Sequence, residues 1–198
     1  MDHFARFDFE KFYHVFNRSN NKETVFLTGD NYVFFLKKFD KYLGDYLHVY
    51  SYCLLPNHFH FLVQVKSEAD ITTLLNGATV DAVITEQFRM LFISYSMAFN
   101  KQQFRNGNLF HRRFKRLTVD SDVYFTQLIY YIHLNPVKHG LTHDYSNYRW
   151  SSYRKLMENV PNKLQREAVL EWFGGKERFE DYHRQMVDLI NPGLMVEE

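Results

Sequence analysis

Residues 47–65 read Leu-His-Val-Tyr-Ser-Tyr-Cys-Leu-Leu-Pro-Asn-His-Phe-His-Phe-Leu-Val-Gln-Val, and this stretch decides the fold. Leu47 to Leu54 is rich in aromatic and β-branched residues and predicts a strand. Pro56-Asn57 breaks the chain, and His58 to Val65 returns as a second strand, giving a hairpin-like pair. Alternate side chains of a strand point to opposite faces. His58 and His60 therefore share one face, while Phe59, Phe61 and Val63 share the other and can pack on a core.

Outward from this hairpin, residues 11–17 predict an earlier strand, followed by a polar turn from Arg18 to Asn21. Between Asp30 and Tyr46, the apolar Val33, Phe34, Phe35, Phe39 and Leu43 recur at helical spacing. Helices are expected near Ile71–Leu75 and over Asp81–Asn100. Residues 104–119, with Asn-Gly at 106–107, suggest a second hairpin or an extended basic loop. A further helix is expected over Asp122–Leu134, with Ser121 or Asp120 as N-cap and Pro136 just past its end. The order is α+β: an antiparallel sheet with helices packed on one face, the paired histidines on its other face. The division expected is a domain over 1–156 and an acidic helical extension over 157–198, helical at about 162–190.

The 198 residues suffice for one well-cored domain. No run approaches the apolar length of a membrane helix, and the N-terminal Met-Asp-His-Phe-Ala-Arg lacks the apolar stretch of a signal peptide. The single cysteine, Cys53, excludes an internal disulfide. A cytoplasmic protein with no membrane partner is expected. The net charge of +1 hides an asymmetry, because residues 1–156 carry 19 Lys/Arg against 14 Asp/Glu and residues 157–198 carry 5 against 9. Lys101, Arg105, Arg112, Arg113, Lys115 and Arg116 fall within sixteen residues that contain no acid. Phe104, Phe110 and Phe114 interleave with them, as expected of a segment that grips phosphates and stacks bases. Asn17 and Arg18, in or beside a turn, are further candidates for DNA contact.

The helix near Pro136 reads Tyr-Tyr-Ile-His-Leu-Asn-Pro over 130–136. Tyr131 and Asn135 are four apart and share a helix face. Set against His58 and His60, Asn135 offers an amide oxygen as third ligand to Mg²⁺ or Mn²⁺, with positions left for phosphate oxygens and water. Tyr131 then stands where a phenol can attack phosphorus. Tyr130 adjoins it and competes for the role. Asn135 also suits a helix C-terminal cap, and His133 is a weaker third ligand because it points elsewhere.

These blocks together resemble the HUH tyrosine transposases of the IS200/IS605 type, above all the REP-associated tyrosine transposases. The matching residues are Tyr13-His14-Val15, Asn17-Arg18, Phe26, Tyr52-Cys53-Leu54-Leu55-Pro56-Asn57-His58-Phe59-His60 and Phe99-Asn100. They continue with Leu109-Phe110, Arg112-Arg113-Phe114-Lys115, Tyr131-Ile132-His133-Leu134-Asn135-Pro136-Val137, Gly140-Leu141 and Trp150-Ser151-Ser152-Tyr153, so that about residues 12–155 are covered. Ser19 stands where a glycine is common, and residues 76–86 are longer than usual. The resemblance implies a ferredoxin-like or RRM-like sheet with the histidines on a central strand. It further implies Tyr131 as nucleophile through a 5′-phosphotyrosine, single-stranded DNA with hairpin structure as substrate, and a monomer or homodimer. Two rival functions share the scaffold: a non-catalytic single-stranded nucleic-acid-binding regulator, and a rolling-circle initiator or relaxase-like nickase.

Overall fold

The hairpin of residues 47–65 supplies an edge strand and an interior strand of a four-stranded sheet. The computed structural model of the chain describes residues 3–185. In it β2 (Leu47–Leu55) and β3 (His58–Val65) pair antiparallel across Pro56-Asn57. β1 (Phe12–Arg18) pairs antiparallel with the other edge of β3, and β4 (Lys115–Val119) antiparallel with β1. The order is β2-β3-β1-β4. The histidine strand is therefore interior, with a hydrogen-bonded neighbour on each side.

Alternation along the strands builds two cores. Tyr13, Val15, Phe59, Phe61 and Val63 face α1 (Gly29–Leu43) and α3 (Val80–Gln102). α1 begins at Thr28 in a capping box with Asn31 and presents Phe35, Phe39 and Leu43 inward. Phe39 stacks on Phe61 at 4.2 Å between ring centres. Helices on this face are those expected of the α+β reading, and α2 (Glu68–Leu75) connects to them.

The histidine face is covered as well, which the expectation of helices on one face did not include. α4 (Asp122–Lys138) lies across it, capped at Ser121, whose Oγ accepts from the Tyr124 amide at 3.3 Å. Its Phe125, Leu128, Ile129 and Ile132 pack with Tyr50, Cys53, Leu55 and Leu62. The physical reason lies in the same strands: beside the histidines this face carries Leu55, Leu62 and Val119, which must leave water. α5 (Tyr153–Met157), α6 (Arg166–Trp172) and α7 (Lys176–Gln185) continue the layer, burying Val169, Leu170 and Phe179 in the same core. The extension read as beginning at 157 is thus helical and docked on the body. Residues 186–190 of the expected helical tail lie outside the described residues.

Of the two alternatives for residues 104–119, the loop is the one present: it leads into β4, which pairs with β1, and Phe110 and Phe114 are buried in the α1/α3 core. A second expectation changes. α4 does not stop before Pro136 but runs to Lys138. Proline removes only one late hydrogen bond there. A Schellman closure then ends the helix, with the Leu141 amide on the Pro136 carbonyl (2.8 Å), the Gly140 amide on the Val137 carbonyl (2.9 Å) and Gly140 at φ +66°. Among the described residues no helix is long and apolar enough to cross a membrane.

Candidate metal and nucleic-acid site

The extra turn of α4 matters because it lengthens one stripe of the helix. Tyr131, Asn135 and His139 succeed one another at four-residue spacing, and the stripe faces β3. Tyr131 meets His60 edge-on at 5.6 Å between ring centres and His14 at 6.1 Å. His139 meets His58 at 4.7 Å. Asn135, the middle residue of the stripe, is completely buried, with its Nδ2 donating to the Tyr131 carbonyl at 2.9 Å. Its Oδ1 is buried without a hydrogen-bond partner among the described residues. A buried amide oxygen left so costs on the order of 1–3 kcal/mol, a cost a cation would remove.

The histidines are arranged to match. Nδ1 of His58 lies 2.6 Å from Oδ1 of Asn57, and Nδ1 of His60 lies 3.0 Å from Nε2 of His14. In both, Nε2 makes no hydrogen bond among the described residues. Burial, then the nearby His139 and Arg18, pushes the His58 pKa down to about 3. Burial also drives His60 well below the usual range, with smaller contributions from His14, His58, His139 and Lys138. Burial lowers His14 to about 3. These rings are neutral near pH 7, the form that ligates metal. No group of three or more His, Cys, Asp or Glu that could hold a metal occurs among the described residues. The unpartnered Asn135 oxygen is of the right chemistry for a hard divalent cation. The residues fit the metal site expected from His58, His60 and Asn135.

Tyr131 is 2% exposed, and the Lys138 ammonium lies 4.7 Å from its ring centre. Tyr130 points the other way, its ring against Tyr182 and His183. His133 belongs to a separate network with Ser51, Ser152 and His183. The geometry thus groups Tyr131, and neither neighbour, with the paired histidines.

Beside the site opens a cleft of about 500 Å³ lined by Phe16, Asn17, Arg18, Asn21, Lys22, His111, Arg112, Arg113 and Lys115. It adjoins the histidines through β1, where Phe16 is opposite His60 and Arg18 opposite His58. Its lining contains five cationic side chains and no acid. Arg112 and Arg113 are exposed, and Arg113 stacks on Phe4 at 3.9 Å.

Other members of the expected basic set lie elsewhere. Arg116 is on the opposite sheet face, bound to Asp81 (3.0 Å) and Thr85 (2.7 Å) and stacked on Phe7, so it is a core ion pair and not a phosphate ligand. The strand alternation that turns Lys115 toward the cleft turns Arg116 away from it. Asn17 is buried, its Nδ2 donating to the His111 carbonyl (3.0 Å), so it ties β1 to the basic loop. Arg105 is paired with Glu23 at 2.7 Å, and Lys101 is exposed near the end of α3. Sequence reasoning gave no role to His14, Asn57, Lys138 or His139. The first two were visible only as parts of a motif. The last two needed a helix continuing through Pro136.

With this geometry in place, the comparisons agree with the resemblance read from the motifs. No family model matches the chain. A Haemophilus influenzae protein provisionally named as a REP-associated tyrosine transposase is 30% identical over 105 residues. That alignment covers 52% of this chain and 57% of the relative, so the chain matches little more than half of that protein's length. A solved REP-associated tyrosine transposase bound to a REP hairpin has the same fold. Its TM-score is 0.56 at 17% identity, covering 79% of this chain and 86% of that one. The similarity to REP-associated tyrosine transposases is thereby shown in both sequence and fold.

Proposed function

We propose that this chain is a REP-associated tyrosine transposase-like enzyme that cuts and rejoins single-stranded DNA beside hairpins. The observation that carries the proposal is the stripe Tyr131–Asn135–His139 set against His58 and His60, with one orphaned amide oxygen and two unengaged imidazole nitrogens beside a phenol. The named relatives supply the DNA context: one solved neighbour is bound to a REP hairpin.

His58, His60 and Asn135 would hold Mg²⁺ or Mn²⁺. Bound there, the cation supplies charge withdrawal from a scissile phosphate oxygen. The chain's own residues do the rest. Arg18, Lys22, Arg112, Arg113 and Lys115 draw the phosphate backbone into the cleft. Tyr131 attacks phosphorus through its Oη, the bond from phosphorus to the 3′ oxygen breaks, and a 5′-phosphotyrosine forms. The phenolic proton departs and the 3′ oxygen leaves as a hydroxyl. Lys138, above the Tyr131 ring, favours the developing phenolate. One phosphodiester is exchanged for another, so no nucleotide hydrolysis is required. Rejoining is the same step run backwards at a second 3′ end. The reaction belongs where the DNA is, in the cytoplasm and on the nucleoid.

A second reading has one observation in its favour. Tyr131 is almost fully buried, as befits a packing residue in a protein that binds hairpins without cutting them. One experiment separates the two. Hairpin-bearing single-stranded DNA from around the gene is incubated with Mn²⁺, and protein–DNA adducts resistant to denaturant are measured. Adducts are expected from the wild type and none from Tyr131→Phe, with hairpin binding retained in both. Binding without adducts in the wild type leaves the regulator.

A further inference from the structure

His58 and His60 are oriented by different means. The Asn57 amide donates through Nδ2 to the Lys22 carbonyl at 3.1 Å, which identifies its other end, facing His58, as oxygen. An amide oxygen only accepts. His58 therefore carries its proton on Nδ1 and keeps a lone pair at Nε2. His60 has no carbonyl at its Nδ1. It meets a second imidazole, Nε2 of His14 at 3.0 Å, and in such a pair either ring can donate. The two arrangements differ in consequence. If His14 donates, His60 bears its proton on Nε2 and cannot ligate. If His60 donates, its Nε2 lone pair is available.

We propose that His14 is a positioning residue whose Nε2 accepts a hydrogen bond from the Nδ1–H of His60 and so holds His60 in the ligating tautomer, as Asn57 does for His58. The inference rests on the reading of His60 as a metal ligand. His14 is 2% exposed, stacked on Phe16 at 4.6 Å and on His60 at 5.2 Å, with Tyr131 edge-on to it. A ring packed on three sides does not turn freely, so its Nε2 stays aimed at His60. His14 cannot itself be a ligand through that atom, which is engaged. Each expected metal-binding imidazole thus has its own orienting partner, and both partners come from outside the ligand set. Orienting groups of this kind alter metal affinity without touching the metal.

Two measurements test the assignment on the intact chain. In the metal-free wild type, long-range ¹H–¹⁵N correlation of the imidazoles is expected to show His60 protonated at Nδ1. A proton on His60 Nε2 overturns the proposal, whatever the variants do. In a Mn²⁺ titration followed by electron paramagnetic resonance, His14→Leu is expected to weaken binding about 10–100-fold. His14→Gln, which keeps an acceptor near the Nε2 position, is expected to stay within about threefold of wild type. A His14→Leu protein that melts like the wild type and binds Mn²⁺ equally well overturns the role of His14. His60→Ala distinguishes the two levels: if it binds Mn²⁺ as tightly as the wild type, the metal reading itself is wrong. If His60→Ala loses Mn²⁺ while His14→Leu keeps it, only the positioning role falls.

Discussion

Two groups of buried histidines lie on the α4 side of the sheet, and they differ in what each leaves unengaged. In the first, His133 Nε2 bonds Ser152 (2.8 Å) and Ser51 (3.2 Å), its Nδ1 bonds His183 Nε2 (2.9 Å), and His183 Nδ1 meets the Phe179 carbonyl (2.8 Å). All four ring nitrogens are engaged. This group joins β2, α4, α5 and α7, and nothing in it is left for a ligand. In the second, among the described residues, His58 and His60 use only Nδ1 and the Asn135 oxygen has no partner. Burial alone does not separate scaffold from site, since both groups are buried and both hold neutral rings. The difference lies in unused hydrogen-bonding capacity beside the paired rings, which water or an ion from outside the chain can complete.

The sharpest way to break this comparison is to remove one ring from each group. His60→Ala is expected to lower metal-dependent adduct formation by about 10³-fold, the several kcal/mol a lost catalytic cation withdraws. Its unfolding free energy in metal-free buffer should fall less than that of His133→Ala, because it strands one partner, His14, where His133→Ala strands three. His133→Ala is expected to do the opposite, lowering the unfolding free energy by about 2–4 kcal/mol. It opens a cavity and strands Ser51, Ser152 and His183. The fraction that remains folded should bind Mn²⁺ as before. Denaturant unfolding and Mn²⁺ titration on both variants check this. Equal stability losses in the two would erase the distinction.

Acid sharpens the same contrast on the scaffold side. Burial lowers the His183 pKa to about 4 and puts His133 well below the usual range. In the unfolded chain both titrate near 6.5, so below that pH the unfolded state binds more protons and stability falls with pH. The His183 contribution, lost between about pH 6.5 and 4, is roughly 3 kcal/mol. Melting curves across that range should fall less steeply for His183→Leu than for the wild type. A parallel decline in the two would mean that the His183 ring is not held neutral by its burial.

What the sequence disclosed, and what it hid, follows the range of the interactions. Strand alternation separated His58 and His60 from Phe59 and Phe61, and four-residue spacing joined Tyr131 to Asn135. Both are local, and in the structure Tyr131 meets His60 with Asn135 one turn further along the same helix. The partners of the histidines are not local. His14 reaches His60 across a strand pairing 46 residues apart in sequence, a distance at which no periodicity speaks. Arg116 failed for a related reason: charge count placed it with Lys115, although a one-residue step along a strand reverses the face. His139 is hidden by Pro136, because a proline there predicts the end of a helix that Gly140 closes one turn later.

The same test of engaged against unengaged groups applies to the phenylalanines of the basic segment, and predicts the smallest effect. Phe110 and Phe114 are core residues, whereas Phe104 is 98% exposed. It occupies φ +52° at the end of α3, where the Gln103 amide bonds the Phe99 carbonyl and the Arg105 amide bonds the Asn100 carbonyl. Glycine is the usual occupant of that position, and a bulky residue there costs on the order of 1 kcal/mol. Nothing in the chain's own packing offsets the cost. Beside it, Arg105 pairs with Glu23, next to Lys22 on the rim of the basic cleft. A ring so placed suits stacking on an unpaired base. Phe104→Ala should therefore weaken binding of hairpin-bearing single-stranded DNA about tenfold, in line with the 1–3 kcal/mol typical of one stacked base. Phe104→Gly should weaken it as much while stabilising the fold by about 1 kcal/mol. Fluorescence anisotropy and denaturant unfolding read the two effects separately. Wild-type affinity in both variants would make Phe104 an idle surface residue, and would leave DNA recognition to the cations of the cleft.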